Sequence, residues 1–412
     1  MLKEIKKPNR DHARRVLQCL VVAIRPLRVE ELAEVLAVDF DDPGGIPKLK
    51  PNWRWEDQEQ ALLASCSSLI TIVDTGRSRV VQFSHFSVKE FLTSTRLATS
   101  SQDVSLYHIA FKPAHTIVAQ ACVSVLLRLP DGDEEDDVEK NAPLALYAAE
   151  YWAQHAQFED VASRIKGMEY LFDPDKPYFA AWCKLHDIDI YSPDSTFHRF
   201  TSRESAGTPL YYAALCGFRN IVEQLIVKHP TCVRAIGGFY KTPAVAALAG
   251  RHFKLAQVLC RKGSSVNPRG NFGNSPLHCA VDYMDLEMVQ VLVDYGADAT
   301  ALNERGYTPL GYALAGQSPR PTNPGVVRWL LNHGVDPDER NWGGKTLLHL
   351  ALGSGKIEMA RLLVEHGASV EVKDMWGNTP LVATPRNRYV SGELRDELIK
   401  LHRAQRGKCC IM

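Results

Sequence analysis

The last four residues of the chain are the ones whose types and spacing could do covalent chemistry. They are Cys409-Cys410-Ile411-Met412, with a cysteine four places from the end, an aliphatic residue at the third position and a terminal methionine. This C-a-a-X pattern is the acceptor for a farnesyl group, which would join the Cys409 sulfur as a thioether. Arg403, Arg406 and Lys408 lie just upstream and would add attraction to anionic lipid. The pattern predicts lipidation of Cys409; chance occurrence of so short a motif is the alternative.

No other group of residues indicates catalysis. The sequence contains no G-x-S-x-G, no H-E-x-x-H and no paired Cys/His arrangement. Gly344-Lys345-Thr346 resembles the end of a phosphate-binding loop, but Glu339 stands where that motif requires its first glycine. The sequence therefore predicts a protein that is not an enzyme and that uses no cofactor, metal or small-molecule substrate.

A short phrase, Thr-Pro-Leu or a close variant, recurs through the second half of the chain. It begins at Thr208, Thr242, Ser275, Thr308, Thr346 and Thr379, at intervals of 34, 33, 33, 38 and 33 residues. The hydroxyl residue can cap a helix, and a proline fits the first helical position because the N–H there has no partner anyway. In the unit that starts at Thr346, apolar residues at helical spacing run from Ile357 to Val364, and Gly367 follows as a stop.

A 33-residue period with this phrase is the signature of the ankyrin repeat. Residues 206–406 resemble that family and would form about six repeats, with five extra residues inside 317–325 and a polar helix from about Gly392 to Arg406. The resemblance implies a solenoid of stacked helix pairs, in which each repeat is stabilised by its neighbours. His278 and His349 follow the phrase, and hydrogen bonds within the turn are expected of them in place of catalysis.

In ankyrin arrays the turn tips and the inner helices line a concave face that binds a protein partner. The scaffold leaves certain tip positions free, between the Asn- or Asp-like start of each turn and the threonine that follows. These are Asn271, Phe272 and Asn274; Glu304, Arg305 and Tyr307; Trp342 and Lys345; and Met375, Trp376 and Asn378. Trp342 and Trp376 are the strongest candidates because exposed aromatic side chains are common hot spots. Covering the neighbouring repeat is their alternative role.

The first hundred residues predict helices followed by a β-hairpin. Two helices are expected within 10–37, interrupted at Pro26, and a third near 58–64. The apolar runs 69–73 and 79–83 flank a Thr75-Gly76 turn, and a helix is expected over 85–92. Helices followed by two strands are the order of a winged helix, so residues 1–100 are predicted to form such a domain.

Residues 101–200 predict an α-helical linker region. An acidic loop, Asp131-Gly132-Asp133-Glu134-Glu135-Asp136-Asp137, interrupts the helices, and the aromatic residues near 147–158 are expected to pack in a helical core. The segments 27–33, 83–91 and 147–152 resemble the region that follows the nucleotide-binding module in fungal NACHT-type signalling ATPases with ankyrin repeats. By that resemblance this chain is the downstream half of such a protein, without the phosphate-binding loop.

The composition is that of an ordinary globular protein. Lys plus Arg and Asp plus Glu number 48 each, so the net charge is zero and binding of nucleic acid is not indicated. The ten cysteines form no C-x-x-C pair, which is typical of reduced thiols. We expect a mainly α chain with a flexible tail at 407–412, cytoplasmic and held at a membrane by a prenyl group. Its expected function is that of a non-enzymatic scaffold or adaptor in signalling; a soluble nuclear transcription coregulator and a partner of a separate nucleotide-driven ATPase are the alternatives.

Overall fold

The structure is a computed structural model that describes residues 2, 5–41, 45–76, 78–129, 138, 140–186, 207–316, 323–382 and 391–409, without side chains at 67, 102, 271 and 406–409. The chain divides into two compact units, Met1–Tyr191 with Phe218–Lys228, and Ser192–Gly217 with His229–Met412. The predicted acidic loop at 131–137 and most of the predicted insertion at 317–325 lie outside the described residues.

The first unit begins with a winged helix. Its helices are α1 (Arg10–Val22), α2 (Val29–Leu36), α3 (Gln58–Cys66) and α4 (Phe86–Thr93), and its strands are β1 (Leu27–Arg28), β2 (Val38–Asp39), β3 (Lys48–Leu49), β4 (Ile70–Asp74) and β5 (Arg79–Phe83). Strands β4 and β5 pair antiparallel, which confirms the predicted hairpin. Strand β1 pairs with β5 and completes a three-stranded sheet in the order β1-β5-β4. Because β1 has two residues, no alternation of side chains could reveal it in the sequence.

Two buried carboxylates on α2 form hydrogen bonds, Glu31 within the winged helix and Glu34 to the part of the chain that follows it. Glu31 accepts hydrogen bonds from Arg25 Nη2 at 2.6 Å and from the backbone N–H of Arg28 at 2.8 Å. Glu34 accepts from the backbone N–H of Leu144 at 2.6 Å. Both side chains are almost fully buried, and a buried charge is stable only when it is paired in this way. Arg25 and Arg28, two of the basic residues near the start of the chain, therefore form ion pairs with Glu31 inside the unit.

The rest of the first unit is helical. It contains α5 (Thr95–Ala98), α6 (Gln102–Ser105), α7 (Phe111–Leu126), α8 (Ala145–Gln157), α9 (Met168–Leu171) and α10 (Tyr178–Leu185). Tyr147 and Trp152 of α8 are completely buried. The Trp152 ring centroid lies 5.3 Å from that of Trp182 and 5.3 Å from that of Phe218. The prediction that the aromatic residues near 147–158 pack in a helical core is confirmed for these two.

The helices of the repeats follow two at a time along the chain, and the second helix of the first repeat belongs to the first unit. They are α11 (Pro209–Leu215) and α12 (Arg219–Lys228), α13 (Pro243–Ala249) and α14 (Phe253–Arg261), α15 (Pro276–Asp282) and α16 (Leu286–Asp294), α17 (Pro309–Ala315) and α18 (Pro324–Asn332), and α19 (Leu347–Gly353) and α20 (Ile357–Glu365). The predicted caps are present: the hydroxyl of Thr242 accepts from the N–H of Val245, and that of Thr308 accepts from the N–H of Gly311. Fold class and repeat architecture are as predicted.

The sixth unit differs from the others. Its Thr379-Pro380-Leu381 segment forms a turn, which is closed by a hydrogen bond from the N–H of Val382 to the carbonyl of Thr379. Residues 383–390 lie outside the described part of the chain. A last helix, α21 (Gly392–Cys409), follows. Arg361 on α20 and Glu397 on α21 form an ion pair with an N···O distance of 2.8 Å. Helix α21 extends three residues past the predicted end at Arg406, since one glycine such as Gly407 costs a helix only about 1 kcal/mol.

Candidate partner-binding site at the repeat tips

Five loops of six residues, here called tip loops, share one construction. They are 236–241, 269–274, 302–307, 340–345 and 373–378. In each, the backbone N–H of the second residue donates to the carbonyl of the sixth, at N···O distances of 2.8 to 3.0 Å. In the last three loops the side chain of the second residue, which is Asn303, Asn341 or Asp374, also accepts two backbone N–H groups. The second and sixth residues therefore build the turn.

Asp374 shows how strongly this turn is specified. Burial alone opposes ionisation of its carboxyl, but the hydrogen bonds from Asn378 and Trp376 outweigh burial, and the pKa is lowered. The carboxylate therefore stays charged and keeps accepting both backbone N–H groups at neutral pH. The Asn- or Asp-like start of each turn, noted in the sequence, thus has a direct structural role in these three loops.

Two histidines join neighbouring tip loops. The Nε2–H of His278 donates to the carbonyl of Tyr307 at 3.0 Å, and that of His349 donates to the carbonyl of Asn378 at 2.9 Å. The Nδ1 of each ring accepts a backbone N–H, at 3.1 and 3.2 Å. Burial lowers the pKa of His278 to about 4 and also lowers the pKa of His349, so both rings are neutral at pH 7. The hydrogen bonds predicted for these residues are confirmed.

The fourth repeat uses a different link, because Gly311 occupies the position of the histidine. Here the hydroxyl of Thr308 donates to the Glu339 carboxyl, which lies in the next repeat. Burial raises the pKa of Glu339 to about 7, although the hydrogen bond from Thr308 acts in the opposite direction. The loops at 302–307 and 340–345 are therefore joined through a group that titrates near neutral pH.

The outward side chains of four tip loops form a surface that we call the tip ridge: Phe272, Arg305, Trp342, Met375 and Trp376. Phe272 is 56% exposed, Trp342 66%, Met375 67% and Trp376 64%. Phe272 also adopts a φ of +58°, a backbone conformation that costs a residue with a side chain about 1 kcal/mol or more. Large apolar side chains held this open to solvent are typical of a binding surface.

The rings of the tip ridge lie on the preceding loop without being covered by it. The Trp342 ring lies so close to Gly306 that a Cβ atom on this glycine would be 2.3 Å from Trp342 Cγ. The Trp376 ring lies near Gly343 in the same way, since a Cβ atom on that glycine would be 3.5 Å from Trp376 Cη2. The guanidinium of Arg305 lies 5.0 Å from the Phe272 ring centroid. Trp342 and Trp376 thus each cover part of a neighbouring loop, which was their alternative role, and still expose most of their surface, so their predicted role in partner binding stays a prediction.

The remaining predicted residues fall into two groups. Glu304 is exposed, and Lys345 is half-buried with its Nζ 5.4 Å from the Trp376 ring centroid. Asn274, in contrast, is 1% exposed, and its side-chain oxygen accepts a hydrogen bond from Asn303 at 2.8 Å. Tyr307 and Asn378 are half-buried, and their carbonyls accept the histidine hydrogen bonds described above. The side chain of Asn271 lies outside the described residues. Asn274 therefore belongs to the scaffold, which corrects its assignment to the binding surface.

The first residue of each tip loop was not among the predicted binding residues. Arg269, Arg340 and Lys373 occupy this position and are exposed, as are Ile236 and Leu302. The Nη1 of Arg269 donates to the carbonyl of Leu302 at 2.9 Å, and the Nη1 of Arg340 donates to the carbonyl of Lys373 at 3.4 Å. Aligning the loops by their period would have revealed this column of mostly basic residues.

The predicted lipidation site lies at the end of α21. The backbone of Cys409 is described as its last helical residue, whereas its side chain and residues 410–412 lie outside the described part of the chain. Among the residues that the structure does describe, every helix is too short or too polar to cross a bilayer.

Comparison with known families agrees with this architecture. Residues 210–303, 243–341, 286–374 and 320–388 match the family described as "Ankyrin repeats (3 copies)". Residues 2–102 match the family described as "GPI inositol-deacylase, winged helix domain". The chain therefore contains ankyrin repeats and, before them, a winged helix domain of the GPI inositol-deacylase type.

Individual relatives cover part of the chain. "Azaphilone pigments biosynthesis cluster protein L" of Monascus ruber is 32% identical over 263 residues, which are 60% of this chain and 54% of that protein. The chain thus spans about half the length of this relative. Among solved structures, the ankyrin repeat domain of Bcl-3 aligns with 24% identity and a TM-score of 0.40, covering 48% of this chain and 87% of that one. An ankyrin repeat domain from Acinetobacter baumannii AYE aligns with 25% identity and a TM-score of 0.40, and the alignment covers 47% of this chain and 97% of that domain.

Proposed function

We propose that this protein is a non-enzymatic adaptor in signalling or regulation that binds a protein partner through the tip ridge. Ankyrin repeats support a role in protein–protein interaction. The observation that carries the proposal is the exposure of Phe272, Met375 and both ridge tryptophans on loops whose backbone is fixed by repeated hydrogen bonds. A rigid loop that presents aromatic side chains binds with little loss of conformational entropy. The concave face of the repeat array is the proposed location of the partner.

The proposal is tested by photo-crosslinking in the native host. A benzophenone-bearing phenylalanine replaces Phe272, and in a control chain it replaces Glu287, whose side chain is 62% exposed on α16. We expect a discrete adduct from position 272 and none of the same mass from position 287, because only the first position lies on the tip ridge. Mass spectrometry of the adducts identifies the partner. An adduct from both positions, or from position 287 alone, would contradict the proposal.

The winged helix is proposed to bind protein and not DNA. In helix-turn-helix proteins the second helix of the motif enters the major groove, and phosphate contacts come largely from Arg and Lys. Helix α3 carries no basic residue, and its Glu59 pairs with Arg79 of strand β5 at 2.7 Å. Arg10 pairs with Asp103 at 3.1 Å. These ion pairs leave the domain without a basic surface on its candidate recognition helix.

A nuclear transcription coregulator is a second candidate function. It is favoured by the similarity to a Monascus ruber protein whose name places it in a pigment biosynthesis cluster. A third candidate, a partner of a separate nucleotide-driven ATPase, is favoured by the winged helix and its resemblance to the NACHT-associated domain. Imaging of the chain with an N-terminal tag separates the first two: nuclear signal supports the coregulator, and cytoplasmic or membrane signal supports the adaptor.

Membrane attachment through Cys409 is also proposed. One farnesyl chain gives only marginal and reversible membrane binding, so the basic residues upstream would make the attachment sensitive to salt. We expect Cys409→Ser to move the protein from the membrane to the soluble fraction in its native host. Cys410→Ser keeps the acceptor cysteine and is the matched control, which should stay with the membrane. Intact mass spectrometry that finds an unmodified chain still ending in Ile411-Met412 would contradict this part of the proposal.

A further inference from the structure

The tip loops concentrate positive charge on a chain that is neutral as a whole. Within loops 269–274, 302–307, 340–345 and 373–378 the cationic residues are Arg269, Arg305, Arg340, Lys345 and Lys373, and the anionic ones are Glu304 and Asp374. Asp374 is buried and bound to its own turn. Over the whole chain, by contrast, basic and acidic residues are equal in number, at 48 each. The local excess of positive charge thus coincides with the apolar tip ridge.

Several of these charges lie beside apolar surface. Arg305 lies over the Phe272 ring, and Lys345 lies over the Trp376 ring. Among the described residues, no member of these four loops takes part in a salt bridge. Met375 and Leu302 add exposed aliphatic surface, at 67% and 40%. A ligand that covers the ridge therefore meets cations and apolar groups side by side.

We propose that the tip ridge binds an acidic segment of its protein partner in which apolar side chains alternate with Asp or Glu. This inference rests on the proposed function and specifies the chemistry of the partner. Carboxylates would pair with the loop cations, and the apolar side chains would cover the exposed rings and Met375. Opposite charge at the rim of an interface gives specificity and a fast association rate, while the apolar contacts supply most of the affinity.

A nucleic acid fits the same ridge less well. The Trp342 ring lies against Gly306 on one side and the Trp376 ring has Lys345 beside it, which reduces the aromatic surface on which bases could stack. Exposed Met375 offers a thioether and methylenes to a ligand, which suit an aliphatic side chain better than a sugar–phosphate backbone.

The test uses the full chain and fluorescence anisotropy with three labelled probes of equal length. They are a peptide of repeated Glu-Leu-Asp-Phe, the same peptide with Lys at every acidic position, and oligothymidylate. We expect the acidic peptide to bind at least about 10-fold more tightly than either of the others, and its affinity to fall as salt is raised. Tighter binding of oligothymidylate, or no difference between the two peptides, would overturn the inference.

A charge reversal locates the binding. The triple variant Arg305→Glu, Lys345→Glu, Lys373→Glu should lower the affinity for the acidic peptide about 30-fold or more. The reason is that three cations that attract its carboxylates become anions that repel them. The control Arg261→Glu, Lys262→Glu, Arg328→Glu changes the net charge equally at exposed positions away from the tip loops and should change affinity less than about 3-fold. Equal effects from both variants would sink the inference. The crosslink from position 272 would still support the adaptor function in that event, so the two proposals can fail separately.

Discussion

A chain that carries Trp342→Ala and Trp376→Ala is expected to lose at least about 100-fold in affinity for the partner identified by crosslinking. Truncation of an aromatic hot spot typically costs about 2 kcal/mol or more, which is roughly 30-fold per residue, although such effects are not strictly additive. Stability should change little, by about 1 kcal/mol, because both rings are about two-thirds exposed and cover only part of the preceding loop. Affinity is measured by titration of the purified partner, and stability by thermal denaturation.

A pair of glycine substitutions provides the control for this prediction. Gly306→Ala places a methyl group where the Trp342 ring lies and so displaces the ring without removing it, at a glycine with φ of +72°. Gly334→Ala adds the same methyl at φ of +90° with no atom within 4 Å. Both variants carry the strain of a left-handed residue, but only the first should weaken binding of the partner. A large loss of stability with binding intact would show that Trp342 and Trp376 serve the scaffold.

Glu339→Gln is expected to change how the stability of the repeats depends on pH. Burial raises the pKa of this carboxyl from 4.5 to about 7. Because the folded-state pKa lies above the unfolded one, the stabilising contribution is complete below pH 4.5 and is lost as the pH rises to about 7. This pKa shift corresponds to a loss of at most about 3 kcal/mol in the free energy of unfolding above pH 7. A glutamine still accepts the hydroxyl hydrogen bond of Thr308 and does not ionise, so the variant should gain stability over the wild-type chain across this interval.

Urea denaturation at pH 4.5, 6 and 8 measures the difference between the two chains. Glu358→Gln removes a carboxylate that is exposed on α20, and its curves show what the loss of one exposed negative charge does by itself. The expected result is a gain for Glu339→Gln that grows from pH 4.5 to pH 8 relative to this control. A difference that stays constant over the three pH values would mean that Glu339 is ionised in the folded chain without penalty.

The repeat half of the fold could be predicted because its signals are local and repeated. Thr242 and Thr308 cap their helices as the phrase requires, and prolines occupy first helical positions that need no hydrogen bond. In the first half, the hairpin at 70–83 could be predicted from two apolar runs that flank the Thr75-Gly76 turn, but β1 could not, because two residues have no periodicity. The hydrogen bond from the N–H of Leu144 to Glu34 on α2 joins residues 110 positions apart and could not be predicted from a local pattern either.

The candidate site was predictable only in part, for a physical reason. Which side chain points outward depends on the contact of one tip loop with the next. Phe272 and Asn274 are two residues apart on the same loop, yet the first is 56% exposed and the second 1%. Asn274 is buried because Asn303 of the next loop donates to it. That partner lies 29 residues away, so its position follows from the stacking of repeats and not from any local pattern.

The shared hydrogen bond of the tip loops has a consequence for how this surface can change in evolution. The turn is closed by the backbone of its second and sixth residues, and in three loops by a side chain at the second. The first, third and fourth residues take no side-chain part in that closure, and it is at these positions that Arg269, Phe272, Trp342 and Trp376 occur. Substitutions there would change the proposed binding surface while the hydrogen bond that closes each turn stays the same. The proposed binding surface can therefore be varied one loop at a time on an unchanged turn.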